Sequence, residues 1–256
     1  MLCAERQRML IAQLRISGSL NIAETAKKYN VSEETIRRDL NIIAKLVPIK
    51  RVHGGAYIKE TAEYDPPLVF RQSYLKEEKR RMAAECMKLI NNYDSIMIDT
   101  SDTASYIAMQ LPLMGYNLTV ITNSMAILEY LVDAENITTF CIGGRLRNKA
   151  RSFIGPDAVK MVSNYAADKC FISPSGVNLK FGPTDFNVNE CQVRKAMLEN
   201  SVRHYLVADH TKLVDNELKG ANIVCSWQDV DYLISDTEPD EEWQEALKKH
   251  KVDIIR

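Results

Sequence analysis

Six short apolar runs recur between residues 95 and 234, at 95–98, 118–121, 139–142, 169–172, 205–208 and 232–234, and each is the length of a buried strand. Helical patterns fit between most of them, notably at 124–132 and 189–202. This alternation leaves little freedom: the economical fold is a mostly parallel sheet with helices on both faces. Ligands of such sheets bind in the loops beyond the carboxyl ends of the strands. The polar residues of those loops are therefore the candidates for function.

The first run is followed by Asp99-Thr100-Ser101-Asp102-Thr103, which leads into a helix at Ala104. Hydroxyls and free N–H groups at a helix start suit a phosphate. Thr122-Asn123-Ser124 follows the second run, and Gly143-Gly144-Arg145 the third, where glycine lets a ligand approach the backbone and Arg145 offers a fork to an anion. Further on come Ser175-Gly176, Glu190 with Lys195 on one helix, and Asp209 with Lys212. Each also has a purely structural reading: Ser101 and Thr103 can be helix caps, and Asp99 a turn acceptor.

At 256 residues the chain is long enough for two domains. Charge divides it. Residues 1–60 hold 11 Lys/Arg against 6 Asp/Glu, and the remainder holds 22 against 28. A small basic module beside a larger acidic one suits a protein with one end on a polyanion. We expect a domain at 1–58, a linker at 59–74 that contains the stiff Asp65-Pro66-Pro67, and a second domain at 75–256. The second domain opens with a helix at 75–91 whose inner side carries Met82, Ala83, Cys86, Leu89 and Ile90.

The basic module reads as three helices and a hairpin. Residues 6–17 carry Met9, Leu10, Ile11 and Leu14, and Gly18 can stop that helix. Asn21 can cap a second helix with Ile22, Ala23 and Ala26 inward, and Asn30-Val31 supplies the turn. Ser32 then caps a third, with Glu33 and Glu34 favouring its dipole and Ile36, Leu40 and Ile43 facing the other two. Its outer face shows Thr35, Arg37 and Arg38, the arrangement of a helix-turn-helix that reads the major groove. The hairpin at 49–58 is a wing whose Lys50, Arg51 and His53 can reach phosphates or a minor groove. Arg37 and Arg38 can equally pair with Glu33, Glu34 or Asp39, and His53 can simply cap its turn.

The run Val31-Ser32-Glu33-Glu34-Thr35-Ile36-Arg37-Arg38-Asp39-Leu40, followed by Arg51-Val52-His53-Gly54-Gly55-Ala56, resembles the signature of DeoR-family bacterial transcription regulators. One departure is Val47-Pro48-Ile49, where the family commonly carries glycine. From Asp99 to Lys212 the order D-x-[GS]-x-T, T-N, G-G-R, D-K-x-F, S-G, E-x-x-x-x-K, D-x-x-K resembles the family's C-terminal sensor domain. The resemblance implies a small α+β winged helix-turn-helix domain followed by an α/β sensor domain with a mostly parallel sheet. It also implies an operator on double-stranded DNA, read by Ser32, Thr35, Arg37, Arg38, Lys50, Arg51 and His53. A phosphorylated sugar or related metabolite is the implied effector, held by Asp99, Ser101, Asp102, Thr103, Asn123, Gly143, Gly144, Arg145, Gly176, Glu190 and Lys195. Asp102 stands where the family usually has Thr or Ser; its carboxylate points away from a phosphate or receives a sugar hydroxyl, or the effector carries its anion elsewhere or lacks one.

The resemblance extends to sugar-phosphate isomerases of the ribose-5-phosphate type, so an enzyme with a basic appendage is the alternative. Glu190 could serve such an enzyme as base. The isomerases, however, carry an acidic D-G-A-D-type loop where this chain has Ile172-Ser173-Pro174-Ser175-Gly176, and we expect binding without turnover. One recognition helix reads few bases, so a homo-oligomer, dimer or tetramer, is expected. Six dispersed cysteines without a C-x-x-C pair suggest reduced thiols and a cytoplasmic protein, with Cys141 and Cys170 as small core residues. No signal peptide is expected, because Glu5, Arg6 and Arg8 interrupt the first apolar residues, and the uncharged stretch after Thr103 is too polar for a membrane. No cofactor or metal is expected.

Overall fold

The capping side chains Asn21 and Ser32 set the frame of the N-terminal unit. In the computed structural model, which describes residues 3–17, 19–45, 49–52, 54–58, 75–213 and 220–256, α1 (Cys3–Ser17) leads through β1 (Ser19–Asn21) into α2 (Ile22–Tyr29). Asn21 Oδ1 accepts the Glu24 N–H at 3.2 Å. Asn30 then takes a left-handed conformation, φ +51, and turns the chain into α3 (Glu33–Ile43), whose cap Ser32 accepts the Thr35 N–H at 3.2 Å. The hairpin β2 (Ile49–Val52) and β3 (Gly55–Ile58) turns at Gly54, φ +87. Its strand β3 also pairs with β1, a third strand too short to show in the sequence pattern.

Leu10, Leu14, Leu20, Ile22, Ala26, Ile36, Leu40, Ile43 and Ala56 make the core of this unit. Two expected inner residues face outward. Met9 is 44% exposed and Ala23 is exposed, while Thr25 takes the inward place on α2. Asp39 does not pair with Arg37 or Arg38. It is buried, accepts Arg6 Nε at 2.5 Å and Gln7 Nε2 at 2.9 Å, and so ties α3 to α1. Burial raises its pKa, but the hydrogen bonds from Arg6, Gln7 and Cys3 prevail and hold it below the ordinary carboxylate value. A lowered folded pKa gives stability that is present above the unfolded value, near 4, and lost as pH falls through the folded one. Asp39→Asn is therefore expected to melt below the parent at neutral pH, with the gap closing in acid; a gap independent of pH would refute this.

The second unit, Leu75–Arg256, is separate from the first, Met1–Tyr74; the expected linker lies outside the described residues. Seven parallel strands form its sheet: β4 (Ser95–Ile98), β5 (Leu118–Thr122), β6 (Ile137–Cys141), β9 (Ala167–Ile172), β12 (Ser201–Val207), β14 (Tyr232–Ile234) and β15 (Asp253–Ile255), in the order β15-β14-β12-β9-β4-β5-β6. Six match the apolar runs; β15 is the addition. Alternation along the strands feeds two cores. Ile96, Ile98 and Phe171 pack with α4 (Lys76–Lys88), α5 (Asp102–Gln110) and α6 (Met125–Leu131) on one face. Met97, Cys170 and Ile172 pack with α7 (Pro156–Val162), α8 (Val188–Glu199) and α9 (Glu241–Lys249) on the other.

Short antiparallel ribbons, β7 (Arg145–Arg147) with β8 (Ser152–Ile154), and β10 (Gly176–Asn178) with β11 (Gly182–Asp185) and β13 (Asn222–Ile223), complete the unit. Two corrections follow. The helix expected to reach Val202 ends at Glu199, because β12 begins at Ser201, which pairs with Ala167 of β9. Cys141 is exposed at the end of edge strand β6, whereas Cys170 is buried in the centre with its thiol pKa pushed up by desolvation.

Candidate functional site

The strand order places a switch point between β4 and β9. From β4 the chain steps outward through β5 to β6, then returns to the other side of β4 with β9 and steps outward again. The connections leave in opposite directions, which opens a crevice beyond the strand ends where ligands of such sheets bind. The loop after β4, 99–101, and the loop after β9, 173–175, flank it.

Asp99 is the first residue past β4 and is 1% exposed. Its Oδ1 accepts the Ser101 N–H at 3.0 Å and its Oδ2 the Ser173 N–H at 2.9 Å, which locks the two loops together. Arg194 Nε donates to Asp99 Oδ2 at 2.6 Å, and the same guanidinium pairs with Asp185 at the end of β11. Asp185 Oδ1 accepts the Ser175 hydroxyl at 3.2 Å and the Asn187 N–H at 3.1 Å. Burial opposes the Arg194 charge, but Asp185, Asp99 and Glu190 outweigh it and hold its pKa above the ordinary arginine value.

One turn before Arg194, Glu190 faces the same way. Its Oε2 accepts the Thr100 hydroxyl at 3.1 Å, and its Oε1 accepts the Ser152 hydroxyl and Arg147 at 3.5 Å. Asn123 lies beside this group through β8: its Nδ2 donates to Phe153 O at 2.8 Å, and its buried Oδ1 meets no donor.

On the opposite side Ser101 caps α5, accepting the Ala104 N–H at 3.0 Å, and Thr103 is buried in its first turn. Asp102, at the first position of α5, forms a buried ion pair with Lys79 of α4. Lys212 Nζ crosses from the loop after β12 to Ser173 Oγ and Pro174 O, each at 2.9 Å. Desolvation lowers the pKa of Lys212, and the neighbouring Lys79 adds to this, while Asp209, Asp102 and Asp99 oppose it.

The structure therefore brings together Asp99, Ser101, Asp102, Thr103, Asn123 and Glu190. It does not bring Lys195, which is exposed, while Arg194 and Glu190 are buried on the inner face of α8. A spacing of four on a helix shares a face and a spacing of five does not. Gly144, φ +141, is needed for packing: a Cβ there would lie 2.9 Å from Ile154 O and 3.0 Å from the Ala158 Cβ. Gly143 donates its N–H to Met161, Arg145 is exposed on β7, and Gly176 pairs with Thr184 in the β10 ribbon. Arg147, Ser152, Asp185, Arg194 and Lys79 were missed; only Arg194 carried a local signal, its spacing from Glu190.

On the N-terminal unit, Arg38 is exposed and Arg37 half-buried on the outer face of α3. Arg37 pairs with Glu33 at 2.6 Å and Arg38 with Glu34 at 3.5 Å, exposed pairs that contribute little. Ser32 and Thr35 join their hydroxyls at 2.9 Å. Lys50 is exposed, and Arg51 bonds Asn41, fastening the hairpin to α3. Asn41 is an exposed polar residue three and four positions beyond Arg38 and Arg37, a helical neighbour that the sequence reading passed over. His53 lies outside the described residues.

A capped second helix of a helix-turn-helix, a hairpin fastened beside it, and a parallel α/β unit with a buried polar cluster at its switch point define a DNA-binding regulator with a sensing domain. Comparison with known proteins agrees. Residues 6–62 match the DeoR-like helix-turn-helix domain and residues 75–237 the DeoR C terminal sensor domain. Similar proteins include the uncharacterized HTH-type transcriptional regulator YulB of Bacillus subtilis (strain 168), 35% identical over 99% of this chain and 96% of that protein. The Glycerol-3-phosphate regulon repressor of Haemophilus influenzae is 32% identical over 98% and 95%. Among solved structures, ribose 5-phosphate isomerase A from Methanocaldococcus jannaschii covers 56% of each chain at 17% identity and a TM-score of 0.42. The chain belongs to the DeoR family of transcriptional regulators. Among the described residues no helix is long and apolar enough to cross a membrane, and no group of three or more His, Cys, Asp or Glu could hold a metal ion.

Proposed function

We propose that this regulator represses transcription in the cytoplasm as a homo-oligomer, and that a phosphorylated sugar or related metabolite at the switch-point cluster releases it from its operator. The observation that carries this is the cluster itself: buried carboxylates for hydroxyl groups, and the ammonium groups of Lys79 and Lys212 beside the start of α5 for an anion. A repressor of a glycerol-3-phosphate regulon among the relatives supports the effector class. Turnover is not part of the proposal. Both Glu190 oxygens are engaged in hydrogen bonds within the cluster, and the 172–176 segment has no carboxylate.

DNA recognition is assigned to Ser32, Thr35, Arg37, Arg38, Lys50, Arg51 and His53. Their weak ion pairs yield readily to phosphates. Arg38→Ala is expected to weaken binding of the protein's own upstream intergenic fragment by about 1–3 kcal/mol if the guanidinium meets a base edge, or chiefly to flatten the salt dependence if it meets phosphate. Unchanged affinity and slope in a titration at several salt concentrations would remove Arg38 from the interface. For the sensor, a thermal-shift panel of sugar phosphates, run alongside an isomerase assay, is expected to find stabilising ligands without turnover; turnover abolished by Glu190→Gln would overturn the reading.

A further inference from the structure

The helix that leads out of residues 59–74 is anchored to the start of α5, and the anchor is an ion pair. Lys79 lies in the first turns of α4 with a side chain 4% exposed, and its ammonium meets the carboxylate of Asp102, 12% exposed, at the first position of α5. The start of α4 has no side-chain cap. Leu75 occupies its cap position in a left-handed conformation, φ +52, that a side chain with a Cβ disfavours, and it offers no side-chain acceptor to the first N–H groups. By contrast, Ser101 caps α5 with its hydroxyl.

A buried ion pair stabilises a fold no better than a well-packed apolar pair, and its best-attested uses are in register and switching. Here the two partners sit on different elements. Asp102 opens α5, where an effector anion would meet its start, and Lys79 belongs to the first helix after the segment that joins the two units in sequence. An anion arriving there is repelled by Asp102 and attracted by Lys79.

We propose that Lys79 is a positioning residue that couples effector to linker: a bound anion draws its ammonium from Asp102, and the first turn of α4 loosens. This rests on the effector reading above. The pair reports occupancy because it cannot serve the carboxylate and the anion equally, and the start of α4 has no side-chain cap to hold it once the pair opens.

Hydrogen exchange by mass spectrometry on the full chain tests it, with inorganic phosphate and a panel of triose and hexose phosphates as probes and thermal shift as the record of binding. For an anion that binds, amides 76–80 of the parent are expected to exchange about tenfold faster, while those of β4 do not change. In Lys79→Met/Asp102→Leu, which leaves neither charge stranded, those amides should exchange fast with or without the anion, and Lys79→Arg should keep the response. An anion that binds the parent without changing 76–80, or a double variant that still responds, overturns the coupling. If no probe binds, the effector reading fails instead, and the pair is judged without ligand: 76–80 must already exchange faster in the double variant than in the parent, and equal rates overturn it.

Discussion

Arg194→Met is expected to destabilise the C-terminal unit by about 3–5 kcal/mol, the cost of removing one partner from a buried ion pair. The guanidinium is 7% exposed and lies between Asp99 and Asp185, whose carboxylates are 2% and 5% exposed. Methionine fills much of the same volume, so the loss isolates charge from packing. Two carboxylates would face each other in a desolvated site, and the loops they brace, after β4, β9 and β11, would lose their common tie. Native domains have only about 5–15 kcal/mol in hand, so the variant should melt far below the parent and lose any effector response. Adding Asp185→Asn should recover part of the loss by removing one stranded charge. Circular dichroism melts of the three proteins check this; a single variant within about 1 kcal/mol of the parent would show that Arg194 is not the central tie.

What could be read without a structure was local. Ser32 and Asn21 cap their helices because a short polar side chain next to a helical pattern can do little else, and Ile36, Leu40 and Ile43 are buried as their spacing requires. Where the pattern was short it misled. Met9 adjoins a buried Leu10 on α1, and Ser201-Val202 continued an apolar helix into what pairs as a strand. The site was half legible. The loops after the strands held the residues expected of them, but strand order is not written in the strands, so the switch point beside β4 and β9 could not be placed. Arg194 meets Asp99 across 95 positions of sequence, and Lys79 meets Asp102 from a helix read only as an apolar face with a charged back. Long-range charge pairing has no period to betray it; Glu190 with Arg194 was the exception, since a spacing of four is a helical period.

Leu40→Ala is expected to abolish DNA binding and leave the sensor intact. Leu40 has no exposed surface and sits where α1, α2 and α3 converge, in a core of nine buried apolar residues. Truncating it costs about 2–5 kcal/mol, a transfer loss plus the cavity that neighbours fill incompletely. For a unit of under 75 residues stability is roughly 3–10 kcal/mol, because a small core buries a smaller share of its surface, so this single loss takes much of the total. The recognition face depends on that core, since Ile36, Leu40 and Ile43 fix the rotation of α3 that turns Arg37 and Arg38 outward. The C-terminal unit has its own two cores and shares none of these residues. A scanning calorimeter should record a lowered N-terminal transition and an unmoved C-terminal one, and the upstream fragment should no longer be retained in a gel shift. Arg38→Ala is the control, since it touches no core residue and should leave both transitions in place. Loss of both transitions together in Leu40→Ala would mean that the two units fold as one, and the separation of head and sensor on which the regulatory scheme depends would have to be abandoned.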